Sequence, residues 1–153
     1  MEEEAGLSTI NLSPRAGQLL TRARKEAEKR HHNYISTEHL LLGLTVLKQG
    51  VAVNVLRGLG LNLKSVRAEV EKLAGVGARE EYTGKTVYAP QVKKVLVFAK
   101  EEAAALHHTY IGTEHLLLGL LRDYNSISAQ TLKNFDVDID KIKRGIFKEL
   151  GPH

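Results

Sequence analysis

An all-α chain built from two copies of one four-helix unit is predicted by three observations. The 14 residues His31–Leu44 recur as His107–Leu120 with 12 identities, at an offset of 76. Extending that offset pairs Pro14–Gly75 with Pro90–Gly151 and gives 20 identities in 62 positions. Apolar residues in both copies follow helical spacing, and breaker residues interrupt them at matching places. A repeat of this size buries its apolar face by packing on its neighbour, so function is to be sought in features that occur twice.

Ser13-Pro14 opens the first helix, with Ser as N-cap and Pro at the first helical position, where its missing N–H costs nothing. Ala16, Leu19, Leu20, Ala23 and Ala27 then form an apolar stripe, repeated by Val92, Val95, Leu96, Ala99 and Ala103. His31-His32 and His107-His108 fall at the ends of these helices, where a hydrogen-bonding ring is favourable. The second helix starts at Ser36-Thr37 and at Gly112-Thr113. Its leucines point almost all round, which predicts burial between other helices. Gly43 and Gly119 lie inside it, where Gly is about 1 kcal/mol worse than Ala, so a close helix–helix approach is expected. A third helix carries Val51, Val55, Leu56 and Leu59, matched by Ile127, Leu132 and Phe135. A fourth carries Leu63, Val66, Val70 and Leu73, matched by Ile139, Ile142 and Ile146.

These elements divide the chain into a loose tail at 1–12, a first repeat at 13–75, a linker at 76–88 and a second repeat at 89–153, with 13–151 forming one compact domain. The only β-prone stretch is Lys85–Tyr88, and it is short.

The chain has no Cys, which excludes disulfides and thiolate metal sites and points to a reducing compartment. The start Met1-Glu2-Glu3-Glu4 is acidic where a secretion signal is basic, and no apolar run approaches the roughly 20 residues of a membrane span. A cytoplasmic location is expected. The net charge of +4 is concentrated in the first repeat, mostly in Arg15, Arg22, Arg24, Lys25, Lys29 and Arg30. Those residues describe either a nucleic-acid face or, more simply, the solvated side of an amphipathic helix interspersed with Glu26 and Glu28. No aromatic stacking platform accompanies them, which favours the solvated face.

Catalysis and cofactors find no support. Gly84-Lys85-Thr86 resembles the end of a phosphate-binding loop, but the required earlier Gly is Arg79 and no buried strand precedes it. The histidines lack the His-x3-His spacing of a helical zinc pair, and His31 and His32 diverge on a helix. Capping or hydrogen-bonded histidines are expected, and no metal, cofactor or nucleophile is assigned.

The polar residues kept in both copies include Glu26/Glu102, Tyr34/Tyr110, Thr37/Thr113, Glu38/Glu114 and His39/His115. The Thr-Glu pairs begin a buried helix, where free N–H groups and the positive dipole end attract anions while the carboxylate attracts cations. Together they could hold a zwitterionic group, a guanidinium beside a phosphate. The simpler alternative is that Thr caps the helix and Glu complements its dipole.

The run Pro14…His-His-Asn-Tyr-Ile-Ser-Thr-Glu-His-Leu-Leu-Leu-Gly-Leu, repeated at this spacing, resembles the N-terminal domain of Clp/Hsp100 AAA+ unfoldases, most of all the ClpC type. The resemblance extends from Leu12 to about Leu150 and includes Lys48–Leu56 in the third-helix region. It implies two tandem four-helix Clp repeats packed with pseudo-twofold symmetry. It further implies a module without ATPase activity of its own that receives substrates and adaptor proteins for an ATP-driven ring and a ClpP-type protease. ClpC-type domains also recognise phosphoarginine, with the Glu of the Thr-Glu-His block on the guanidinium. Carried over, that assigns Glu38 and Glu114 to the cation, and Thr37 and Thr113 to helix caps and anion contacts.

Three departures qualify the resemblance. Ala89 stands where Ser13 caps the first copy, so one hydroxyl near the phosphate side is missing. The family's Glu-Gly-Glu-Gly-Val-Ala has become Asp123–Ser128. The chain stops at His153 without a Walker motif, which leaves a fragment of an unfoldase or a stand-alone accessory subunit docking on a Clp protease as expectations.

Overall fold

The computed structural model describes residues 11–74 and 81–151. Four helices form in each repeat: α1 (Pro14–Lys29), α2 (Thr37–Thr45), α3 (Val51–Gly58) and α4 (Leu63–Ala74), then α5 (Pro90–Ala105), α6 (Thr113–Arg122), α7 (Ile127–Asn134) and α8 (Ile139–Leu150). Corresponding helices begin 76 residues apart, as the duplication predicts. No described helix is long and apolar enough to cross a membrane.

Each repeat opens with a helical hairpin, α1 on α2 and α5 on α6, whose tightness comes from glycine. A Cβ at Gly43 would lie 2.9 Å from the Ala23 amide nitrogen and 3.1 Å from the Leu19 carbonyl oxygen. One at Gly119 would lie 2.7 Å from the Val95 carbonyl oxygen. The leucines Leu40, Leu41, Leu44, Leu116, Leu117, Leu118 and Leu120 are then at most 1% exposed. The later helices cross over: α3 packs on α8 and α6, and α4 and α2 pack on α7, so each repeat closes the core of the other.

The crossing is reciprocal at the strands as well. The β-prone stretch forms β2 (Val87–Tyr88), which pairs in parallel with β1 (Tyr34–Ile35), Ile35 opposite Tyr88. Its counterpart is the bridge between Leu12 and Ile111. The segment before α5 thus pairs with the segment before α2, and the segment before α1 with that before α6.

The ends of the tail and of the linker make defined contacts. Asn11 and Leu12, assigned to a loose tail, are held: the Asn11 side chain donates to Thr109 O at 2.8 Å, and Ile111 N donates to Asn11 O at 2.8 Å. The end of the linker is also docked, because Thr83 N donates to Asn33 Oδ1 at 2.9 Å and Thr86 Oγ1 to His32 O at 2.8 Å. The Asn33 side chain and the His32 carbonyl, both in the α1–β1 turn, hold the linker end. The rest of the tail, residues 1–10, and linker residues 76–80 lie outside the described residues.

Glu26, kept by the duplication, ties α1 to α4. It is 5% exposed and contacts Arg67 Nη2 at 2.7 Å and Arg30 Nη1 at 2.5 Å. Burial opposes its ionisation, but hydrogen bonds and charge from Arg67 and Arg30 prevail and bring its pKa down to about 2. In the second repeat Glu102 meets Arg122 at 3.5 Å and Lys143, the counterpart of Arg67, at 3.8 Å. Glu26→Ala is expected to destabilise the domain by about 2 kcal/mol in urea denaturation, because it strands two half-buried guanidiniums that still reach water. Glu102→Ala, with looser partners, should cost less than about 1 kcal/mol.

Candidate functional site

The start of α2 is built by a histidine rather than by a hydroxyl. His39 Nδ1 accepts the Ser36 backbone N–H at 2.8 Å, and its Nε2 lies 2.8 Å from His32 Nδ1. The second copy repeats both contacts: Gly112 N to His115 Nδ1 and His115 Nε2 to His108 Nδ1, each 2.8 Å. An Nδ1 that accepts leaves the proton of a neutral ring on Nε2, from which it donates to the partner histidine. Burial, then the neighbouring histidine, bring His39 down to about 3 and His115 to about 4. His31 and His107 have φ of 56° and 60°, the left-handed residue that closes α1 and α5. His32 N donates to Ala27 O at 3.0 Å and His108 N to Ala103 O at 2.9 Å, completing that turn.

His108, Glu114 and His115 bring possible metal-ligand atoms within 4.8 Å of one another. The two ring nitrogens of His115 are already engaged. The same histidine–histidine contact forms in the first repeat with no carboxylate in the group, so hydrogen bonding accounts for the geometry.

The capping role expected of Thr37 and Thr113 is corrected. The N-cap residues are Ser36 and Gly112, and the threonines occupy the first helical position. Thr113 caps a helix of the other repeat instead: its Oγ1 accepts Ala52 N at 3.1 Å, where the N-cap Gly50 has no side chain. The bond uses a lone pair of the hydroxyl, and at 2% exposed Thr113 is turned into the contact between the repeats. Thr37 is buried at the matching contact, and its carbonyl accepts Ser128 Oγ at 2.8 Å.

Glu38 and Glu114 part company. Glu38 is half-buried and lines a cavity of about 310 Å³ with Ser36, Thr37, Gln91, Asp123, Asn125 and Ser126. Burial pushes its carboxyl above the ordinary carboxylate value, and a hydrogen bond from its own backbone N–H partly offsets that. Glu114 is 2% exposed and accepts from Tyr110 Oη at 3.2 Å. Burial, then the Glu114 carboxylate, raise the Tyr110 hydroxyl above its ordinary value of 10.0. The Tyr110 ring stacks on His108 at 5.2 Å, whereas Tyr34, its counterpart, is 45% exposed.

The cavity at Glu38 is shared between repeats. Ala89 N donates to Ile35 O at 2.9 Å, which sets the start of α5 beside the start of α2. The missing hydroxyl at Ala89 therefore falls at the Glu38 site, and α5 has no side-chain cap there. At the Glu114 end, Ser13 N donates to Ile111 O at 2.9 Å and Ser13 Oγ accepts Ala16 N at 3.1 Å. Gln91 and Asn125 were not legible as site residues within either repeat. The drift at Asp123–Ser128 was the available signal.

The basic residues of α1 are partly committed elsewhere. Arg24 donates to Thr86 O at 2.9 Å and lies over the Tyr88 ring at 5.3 Å, Arg30 bonds Glu26 and Glu71, and Arg15 bonds Gln18 and Gln49. Side chains so engaged form an internal network more than a phosphate-tracking stripe.

The Clp repeat N-terminal domain profile matches this chain at residues 11–97 and again at 87–152. The chain is 48% identical over 136 residues to a probable ATP-dependent Clp protease ATP-binding subunit of Chlamydia pneumoniae, covering 89% of this chain and 16% of that protein. It is 41% identical over 140 residues to ClpC, an ATP-dependent Clp protease ATP-binding subunit of Staphylococcus aureus, covering 92% and 17%. The chain thus spans about a sixth of the length of these relatives. In structure it resembles the Hsp104 N-terminal domain of Candida albicans (TM-score 0.77, 16% identity, covering 94% of this chain and 93% of that one). It also resembles the ClpV N-domain in complex with a VipB peptide (TM-score 0.71, 20% identity, 90% and 85%). With a sequence profile matched by both halves and relatives above 40% identity across most of its length, this chain belongs to the Clp repeat N-terminal domain family.

Proposed function

We propose that this domain is the client-recognition module of a ClpC-type unfoldase, and that Glu38 receives the cationic group of a marked protein. The observation that carries this is the placement of a half-buried carboxylate in a cavity between the two repeats. A carboxylate partly stripped of water binds a guanidinium more strongly than an exposed one does. The second carboxylate on the cavity, Asp123, adds to the attraction for a cation. Beside it α5 has no side-chain cap, and although Pro90 has no N–H and Val92 N donates to Ala89 O at 3.0 Å, the Gln91 backbone N–H is there for an anionic group joined to that cation. Phosphoarginine combines both charges. The ClpV N-domain is known in complex with a VipB peptide, and peptide recognition is the matching role here. Delivery to an ATPase ring and a ClpP-type protease, adaptor binding and a cytoplasmic location complete the reading.

Calorimetric titration of free phosphoarginine tests it. Wild type should bind, and Glu38→Ala should weaken binding at least about tenfold while helicity stays unchanged. Equal affinity in the two proteins would reject the carboxylate's role. Arginine without phosphate should bind more weakly, and equal binding would show that the α5 terminus reads no anion.

A further inference from the structure

The two Thr-Glu pairs have identical sequence, yet one glutamate is open and the other is shut. The backbone does not account for this. Ser36 has φ −107° and ψ 178°, and Gly112 has φ −101° and ψ −178°, the same extended conformation, which any residue adopts. What differs is the side chain that precedes each pair. A Cβ at Gly112 would collide with Glu114 Oε1, lie 2.9 Å from Glu114 Cδ and 3.1 Å from Tyr110 Cε2. The Glu114 carboxylate therefore occupies the volume that a side chain at 112 would fill, and there it accepts the Tyr110 hydroxyl at 3.2 Å. In the first repeat Ser36 has the Cβ that excludes this fold-back, Tyr34 stands 45% exposed, and Glu38 turns into the cavity shared with Gln91 and Asn125.

We infer that the residue before each Thr-Glu pair controls whether its glutamate is presented, so that this domain has one ready cation-recognising site, at Glu38, and one latched by Tyr110, at Glu114. The inference rests on the recognition role proposed for Glu38. It adds that a ligand for the second site must first displace a buried carboxylate from its tyrosine. Losing a hydrogen bond to a charged group amounts to about tenfold in affinity. Exchanging the two residues should exchange the behaviour. The nearest atoms to a side chain at 112 are the Glu114 carboxyl and the edge of the Tyr110 ring, all side-chain atoms, so Gly112→Ser moves the carboxylate and eases the ring aside while the helix stays in place.

The experiment is a phosphoarginine titration of wild type, Gly112→Ser, Ser36→Gly and Tyr110→Phe, paired with a ligand-free NMR titration of the Tyr110 ring carbon. Wild type should bind one equivalent tightly. Gly112→Ser should bind two, Tyr110→Phe should gain a second site, and Ser36→Gly should lose about tenfold at the first. In the ligand-free titration Tyr110 should ionise at lower pH in Gly112→Ser than in wild type. Two equal sites in wild type would overturn the latch and leave the recognition role of Glu38 intact. No binding to wild type or to Gly112→Ser would overturn the recognition role, and with it the ready site. An unchanged Tyr110 titration in Gly112→Ser would overturn the latch whatever the ligand does.

Discussion

Gly119→Ala should destabilise the domain by about 3 kcal/mol and Gly43→Ala by about 2, although each replaces the poorer helix former with the best one. Propensity alone would credit either change with about 1 kcal/mol in the opposite direction. The sign is decided by what the new methyl meets. At Gly119 it meets the Val95 carbonyl oxygen at 2.7 Å and the Ala99 amide nitrogen at 3.2 Å. Those atoms belong to the facing helix and cannot rotate away as a side chain would. The α5–α6 hairpin must then open by some tenths of an ångström along a contact that buries Leu116, Leu117 and Leu120. At Gly43 the tightest approach is 2.9 Å, so the expected cost is smaller. The two hairpins share few atoms, so the double variant should lose nearly the sum, about 5 kcal/mol. That is comparable with the whole stability of many small domains. Urea denaturation followed by circular dichroism measures it. A double variant as stable as wild type would show that the close approach of the helices in each hairpin does not depend on these glycines.

The glycines were legible in the sequence because duplication marked them. A Gly inside a leucine-rich helix is unfavourable, and finding it in both copies implied a packing reason. Helix positions were legible for the same cause: Pro14 and Pro90, or Leu63 and Ile139, stand at equivalent places and open equivalent helices. The reciprocal strand contacts were not. Leu12 with Ile111 and Ile35 with Tyr88 join segments far apart in the chain, and two-residue strands have no periodicity to read. His31 and His107 were read as hydrogen-bonding rings at helix ends, whereas their backbone takes the left-handed turn usually left to glycine. The Thr-Glu pairs were found, but their inequality was hidden in Ser36 against Gly112, one of only two differences in the 14-residue block. That difference acquires meaning only when a carboxylate is seen filling the space of the absent side chain. The shared cavity likewise needed the fold, because Glu38 belongs to one repeat while Gln91 and Asn125 belong to the other.

The histidines that build the starts of α2 and α6 should make the domain acid-labile well above the pH at which its carboxylates titrate. His39 and His115 are 1% and 0% exposed, and their pKa values are lowered from 6.5 to about 3 and about 4. Each Nδ1 must stay unprotonated to accept a backbone N–H, and a positive ring in the first turn would oppose the helix dipole. Above pH 6.5 folded and unfolded chains both hold these rings neutral, and the full stability is present. As pH falls below 6.5 the unfolded chain takes up two protons that the folded chain refuses until near pH 4. Stability is therefore lost at about 1.4 kcal/mol per pH unit for each ring, or about 3 kcal/mol in total by pH 5.5. Glu38, whose carboxyl is raised, acts in the opposite sense, but only as the pH approaches the carboxylate range. Glu26, lowered to about 2 from 4.5, adds a further loss below pH 4.5. The interval from 6.5 to 5.5 thus isolates the histidines. Asn can present its Oδ1 near the position of the imidazole Nδ1 and does not titrate. His39→Asn with His115→Asn should therefore start less stable at pH 7.5, through lost packing, yet show a much flatter slope over that interval. Urea midpoints at pH 7.5, 6.5 and 5.5 would measure both slopes. If the double variant lost stability as steeply as wild type, the protons would have to be taken up elsewhere, and the buried imidazoles would not be the groups that tie this fold to pH.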